Sequence, residues 1–315
     1  MPTLAELQTD YRAGRLTKAD FITQACALHQ QLWAYAALFS DEGVRELRIS
    51  PRGVQFLMGE EAVWIEAPAG EARVAPLETL NFGGAYEAVE SRAMDVLAAG
   101  ARCMLDVGAN LGIHALRLAL REPQATVHAF EPLPQSFEFL SRNIALNGLG
   151  DRVRAHGFGL SRENGSFEFH IAPENGTNAS LLNVAGRSDA RHVVGLTLRL
   201  DDWVANTGSQ PDYIKVDVEG AELWVFEGGA QTIERQRPRV FCELLRKWCV
   251  PFGYHPNDVL RFFAAQGYGC WAVGEQGVRE LTAVDDATPE TNYAFLHRET
   301  HRETITLLEL MGAAA

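Results

Sequence analysis

Residues 103–132 read CMLDVGANLGIHALRLALREPQATVHAFEP: an apolar run, an acid, a glycine turn, an amphipathic segment, a second apolar run and a second acid. Met104 to Val107 and Ala125 to Phe130 suit strands, while Ile113, Leu116, Leu118 and Leu120 give the segment between them a helical apolar face. Strands joined by a helix crossover run parallel, so the stretch predicts a β-α-β unit of an α/β fold.

The chemistry of this unit lies at its first strand-to-helix turn. Gly108 and Gly112 leave room for close backbone approach, and Asp106 places a carboxylate at the strand's C-terminal end, where open α/β sheets bind ligands. Glu131 stands at the tip of the second strand, 25 residues after Asp106, where an acid accepts hydrogen bonds from both hydroxyls of a ribose. The G-x-G-x-x-G of a dinucleotide fold is not met, because the spacing is Gly108, Asn110, Gly112. A carboxylate beside the turn repels a pyrophosphate, whereas S-adenosylmethionine carries an ammonium and a sulfonium and no phosphate. Singly, Asp106 reads as a helix cap and Glu131 as a solvated acid before a turn-forming proline. Together, with the glycines between them, they read as a site for that cationic cofactor.

With 315 residues, 47% of them hydrophobic, the chain can bury one large core and allows one or two domains. Its net charge of −13 argues against a nonspecific grip on nucleic acid or an anionic membrane, since both draw on clustered Lys and Arg. No stretch approaches ~18 consecutive apolar residues, so no membrane span is expected. The opening MPTLAELQTD has neither the basic region nor the apolar core of a signal peptide. Five cysteines, at 26, 103, 242, 249 and 270, form no C-x-x-C pair and are read as reduced, mostly buried thiols of a cytoplasmic protein. The nine histidines lack a zinc-like spacing with the cysteines, and no metal ligands are assigned.

Around the central unit, residues 1 to 40 carry apolar positions at helical spacing, interrupted near Gly14. Their aromatic stripe, Trp33, Tyr35 and Phe39, reads as core or as a subunit contact, which would make a homo-oligomer through this segment. Val44 to Glu66 reads as a small β-meander. The segment NFGGAYEAVESRAMDVLAAG then leads into the core through a helix with Glu87 at its start. That acid either complements the helix dipole or folds over the cofactor. An amphipathic helix carrying Phe137, Leu140, Ile144 and Leu146 is followed by a third strand, Arg152 to His156. Phe158 to His170 reads as a hairpin-like pair around Glu163-Asn164-Gly165. The long polar stretch from Ala172 to Arg191 is assigned to substrate contact, and Val193 to Leu200 reads as a strand.

A second site stretch, PDYIKVDVEGAELWVFEGGA, places Asp217, Glu219 and Glu222 at the C-terminal edge of a buried strand beside the first. Strand alternation puts Lys215 and Asp217 on one side, so an internal ion pair is a live explanation of that acid, and Glu222 in a first helical turn reads as a dipole partner. PRVFCEL is a fifth strand with Glu243 near its end, and NYAFLHRE is a last short strand.

The combination of GAYEAVE, LDVGANLGIHAL, HAFEPLPQSFEFLSRNIALNG, LDDW, IKVDVEGAELWVFEGGAQTI and PRVFCEL, over roughly residues 80 to 298, resembles the FkbM family of S-adenosylmethionine-dependent methyltransferases. The resemblance implies a class I methyltransferase-like, doubly wound, seven-stranded, mostly parallel sheet whose one antiparallel strand is Asn292 to His297. It divides the chain into an N-terminal helical and β-meander extension, 1–80, and a methyltransferase domain, 81–315. It puts Asp106, Gly108, Asn110 and Gly112 around the methionine part of the cofactor and Glu131 on the ribose, to which the reading of the preceding loop adds Glu87 as a cofactor contact. It also implies O-methylation of a hydroxyl on a small molecule, sugar or natural product.

Methyl transfer from a sulfonium is an in-line displacement that needs proximity, alignment and removal of the acceptor's proton. Asp217 is the first candidate for the base, then Glu219, with Glu243 assisting or orienting. Alternatively these acids hold a divalent cation that acidifies the hydroxyl. An N-methyltransferase on peptide or RNA shares the cofactor half, but the acidic balance weighs against RNA. An NAD-dependent oxidoreductase is disfavoured by Asp106, and a non-enzymatic binding or scaffold module would draw on the N-terminal helices.

Overall fold

The computed structural model describes residues 2–71, 73–171, 179–183 and 188–313. The chain begins with helices Leu4–Arg12 and Lys18–Ala36, whose first turns are closed by the side chains of Thr3 and Thr17. Trp33 is 71% exposed and Tyr35 is also exposed, so these two lie outside the chain's core, whereas Phe39 packs against it. An antiparallel meander follows: β1 (Val44–Ser50), β2 (Gly53–Met58) and β3 (Val63–Glu66).

Next come β4 (Cys103–Val107), β5 (Thr126–Phe130) and β6 (Val153–His156), each pair joined by a helix, Ile113–Arg121 and then Pro134–Leu146. β7 (Gly159–Leu160), β8 (Gly165–Ile171), β9 (Ala179–Ser180) and β10 (Arg191–Leu198) build a small separate sheet. The chain then returns through β11 (Tyr213–Val216), β12 (Arg239–Glu243), β13 (Tyr268–Gly274), β14 (Gly277–Leu281) and β15 (Asn292–His297).

The large sheet has the order β14-β13-β15-β12-β11-β4-β5-β6. Strands β6, β5, β4, β11 and β12 are parallel, and β15 runs antiparallel between β12 and β13. This is the seven-stranded class I methyltransferase order, with Asn292–His297 as the antiparallel strand. β14 adds an eighth, edge strand by folding back on β13, and the C-terminal helix Arg302–Ala313 packs beside it. The central strands are buried on both faces, which is why they read as continuous apolar runs.

Two local readings change. Phe158 to His170 is not a hairpin: β10 lies between β7 and β8, parallel to the first and antiparallel to the second. Glu163-Asn164-Gly165 therefore connects strands that do not pair, and the partner that separates them arrives some thirty residues later. The meander is also docked closely on the sheet domain. Phe56, Met58, Val63 and Ile65 share one core with Met94, Leu116 and Leu140. The Asn143 and Asn147 amides clamp the backbone of β3: Glu66 N–H donates to Asn143 Oδ1 at 2.8 Å and Trp64 N–H to Asn147 Oδ1 at 2.8 Å, and each amide NH₂ returns a bond to the same residue's carbonyl.

Candidate active site

The C-terminal ends of β4, β5, β11 and β12 meet at one edge of the sheet, and a cleft of about 260 Å³ opens there. Of the residues expected at the site, Glu87, Gly108, Asn110, Glu131, Asp217, Glu219 and Glu243 line it. Gly112 and Asp106 lie behind its wall.

Gly108 and Gly112 hold the turn by sparing space within the protein. Gly108 has φ +81°, and a Cβ there would stand 1.8 Å from the Asp217 carbonyl oxygen. The two loop tips that carry the site's acids therefore touch only because residue 108 has no side chain. A Cβ on Gly112, φ +92°, would meet Leu140 at 2.6 Å, so this glycine lets the helix Pro134–Leu146 close on the turn.

Glu131 is buried and fixed by two backbone donors, Asn110 N–H to Oε2 and Leu133 N–H to Oε1, each at 2.9 Å. Burial outweighs these bonds and raises its pKa to about 7. Asp106 is 1% exposed, and neither of its carboxylate oxygens has a hydrogen-bond partner among the described residues. It faces Lys215 across the β4–β11 pair, with Oδ1 3.6 Å from Nζ. Lys215 Nζ also donates to Asp217 Oδ2 at 3.2 Å. Burial works against that ammonium, but Asp217, Asp106 and Glu87 together hold it charged, with a pKa well above the usual lysine range. The ion pair expected between Lys215 and Asp217 is thus present and extends to Asp106.

Glu87 takes a left-handed backbone, φ +45°, at the start of helix Ala88–Ala98. His114 Nε2 donates to its Oε2 at 2.9 Å. Against the opposing effect of desolvation, that bond and the nearby positive charge pull the carboxyl down to about 2, although with 41% of the side chain open to water part of the pairing is screened. His114 was missed by the sequence reading; its signal was its place one residue into the helix after Gly112.

Glu222 is a clamp. Its buried Oε1 accepts from Val218 N–H at 3.2 Å and Gly220 N–H at 3.0 Å, and the Tyr254 hydroxyl lies 2.9 Å from Oε2. These bonds fix the turn that presents Glu219, itself at φ +55°. Glu243, half-buried at the end of β12, has its pKa raised by burial and then by the charges of Asp217, Glu219 and Glu87. Among the described residues, no three carboxylates of this cleft come within shared-ligand distance of one ion.

From the small sheet, Phe169 and Thr197 line the wall, as does Leu181 just beyond β9. Part of the stretch assigned to substrate contact, 172–178 and 184–187, lies outside the described residues; of its described residues, Leu181 lines the cleft.

The strand order and a cleft at the parallel strands' C-terminal edge define a class I methyltransferase fold. The methyltransferase FkbM domain model matches residues 106–270, more than half of the chain, and the chain belongs to that family. Methyltransferase 1 of Beauveria bassiana is 31% identical over 143 residues, covering 40% of this chain and 57% of the relative. The 2-O-methyltransferase NoeI of Sinorhizobium fredii is 33% identical over 150 residues, covering 42% and 60%. The hexuronic acid methyltransferase AglP of Haloferax volcanii is 30% identical over 131 residues, covering 41% and 50%. The matches thus span between 50% and 60% of these relatives' length. Among the described residues, no helix is long and apolar enough to cross a membrane.

Proposed function

We propose that the chain is an S-adenosylmethionine-dependent methyltransferase that methylates a hydroxyl of a sugar or another small molecule. The observation that carries this reading is the charge of the cleft. Glu78, Glu87, Asp217 and Glu219 line it, with Glu131 and Glu243 as further acids whose protonated form burial favours, against Arg73 and Lys215 as the fixed cations among the described residues. A wall of that sign suits a ligand bearing an ammonium and a sulfonium and opposes a dinucleotide's pyrophosphate.

The residues fit the cofactor on a second count: Glu131 stands at the β5 tip, where an acid can accept from a ribose, and Asp106, behind the turn, has two buried carboxylate oxygens without hydrogen bonds among the described residues. In this reading Glu131 accepts from the ribose hydroxyls, while Asn110 and the 108–112 turn border the methionine part, with Asp106 acting through Lys215. Glu87, oriented by His114, closes the same side. The bound cofactor supplies a methyl group on a positively charged sulfur. Asp217, held by Lys215, takes the acceptor's proton, and Glu219 and Glu243 flank it. Glu243, its proton held by burial and by the neighbouring acids, donates a hydrogen bond to the acceptor. The family relatives named for a 2-O position and for a hexuronic acid support a sugar-like acceptor.

The test is incubation with S-adenosylmethionine and a panel of uronic acids, amino sugars and small alcohols, read by mass spectrometry. Gain of one methyl group on oxygen in the wild type, absent in Asp217→Asn, supports the proposal. Methylation confined to nitrogen acceptors would overturn its hydroxyl part.

A further inference from the structure

The small sheet carries a side-chain cluster away from the cleft. Glu168 and His170 are two apart on β8 and so share a face, and His192 on β10 pairs directly with His170 in the strand register. The two imidazoles lie 4.6 Å apart between ring centroids, and His192 Nδ1 is 3.3 Å from Glu168 Oε1. One donor atom from each of the three residues falls within 4.8 Å of the others. An ordinary His192–Glu168 ion pair would account for two of the three, but it leaves the third unexplained: His170 Nδ1 is buried and has no hydrogen-bond partner among the described residues.

Two imidazole nitrogens and one carboxylate oxygen, converging from two strands locked in register, form a three-ligand donor set suited to Zn²⁺, with water as the fourth ligand. We propose that Glu168, His170 and His192 bind one zinc ion that staples β8 to β10. The role is structural. Phe169, between the two β8 ligands, points to the opposite face and lines the cleft, so the ion sits on the outer side of that wall. Ser180 pairs with His170 on the other edge of β8, and its hydroxyl donates to the Glu219 carbonyl at 2.7 Å. Fixing β8 therefore also fixes the strand that braces the Glu219 turn.

The ligands are invisible to a spacing search because 21 residues, with a further strand among them, separate His170 from His192. The site does not depend on the methyltransferase reading, and its test uses no cofactor. Full-length protein without a polyhistidine tag is stripped with a chelator and titrated with ZnCl₂ by calorimetry, with Co²⁺ absorption as a spectroscopic readout of the ligand field. The expected result is one equivalent bound with micromolar or tighter affinity and a higher melting temperature with zinc. His170→Ala and His192→Ala are each expected to weaken binding by roughly 100-fold or more, since even outer-shell partners are worth ~10–100-fold. Glu168→Gln, at an exposed position, keeps the fold and loses the zinc-dependent rise in melting temperature. Cys26→Ser, which removes the exposed thiol, leaves binding unchanged. No stoichiometric binding, or binding that survives both histidine substitutions, would overturn the proposal.

Discussion

Replacing Glu131 by Gln should make the cofactor-free protein less sensitive to alkaline pH. Glu131 ionises near 4.5 in an unfolded chain and near 7 in the folded one, because burial disfavours its charge. Between those values the unfolded state has released the proton and the folded state has kept it, so stability falls as pH rises, with the full cost reached above 7. That cost is roughly 3 kcal/mol, of which roughly 2.5 kcal/mol develops between about pH 5 and about pH 8.5. Glu222 and Glu243 also have raised pKa values, but they are common to both proteins. The difference between wild type and variant therefore isolates Glu131. Urea unfolding of both proteins at the two pH values measures it: the wild type should lose about 2.5 kcal/mol more than Glu131→Gln over this interval. Equal losses, within about 0.5 kcal/mol, would refute the claim that the folded protein holds this carboxyl as a destabilised, function-directed charge.

Three further substitutions probe other joints of the site. Gly108→Ala should cost roughly 3–5 kcal/mol in urea unfolding, through the left-handed backbone penalty and a Cβ driven against the Asp217 carbonyl; a loss under about 1 kcal/mol would mean the two loop tips are not in contact. Asn143→Ala removes a side chain bonded to the Glu66 N–H and to the Glu66 and Leu111 carbonyls, and should destabilise by roughly 2–4 kcal/mol, with proteolysis showing early release of the meander. Asp217→Asn should lower turnover by roughly 10²-fold or more while leaving cofactor affinity within a few-fold, as kinetics beside calorimetry would show; full activity would remove Asp217 from the proton-transfer role.

What was legible in the sequence was local and periodic. β4, the glycine turn and the following helix lie within thirty residues, so their alternation and spacing disclose both the element types and the strand end where Asp106 and Glu131 fall. The same holds for β11 and the turn bearing Asp217 and Glu219. What was not legible depends on pairings made at long range. β10 inserts between β7 and β8 by backbone hydrogen bonds that side-chain alternation does not specify. Gly108 reads as a ligand-approach glycine until Asp217, 109 residues away, brings its carbonyl against it. Asp106 reads as a cofactor contact, yet its nearest charge is Lys215 on the neighbouring strand. Asn143 and Asn147 read as ordinary polar positions on a helix, because their partner is the bare edge of a meander folded from residues some eighty positions earlier.

The central claim is that the acidic cleft, with Glu131 at its floor, is built for S-adenosylmethionine. Calorimetric titration of the wild type and of Glu131→Ala with that ligand tests it most directly. Saturable binding is expected for the wild type, weakened by roughly 100-fold in the variant through loss of two charge-assisted hydrogen bonds. No binding heat in the wild type at any pH, or equal affinity in both proteins, would contradict it.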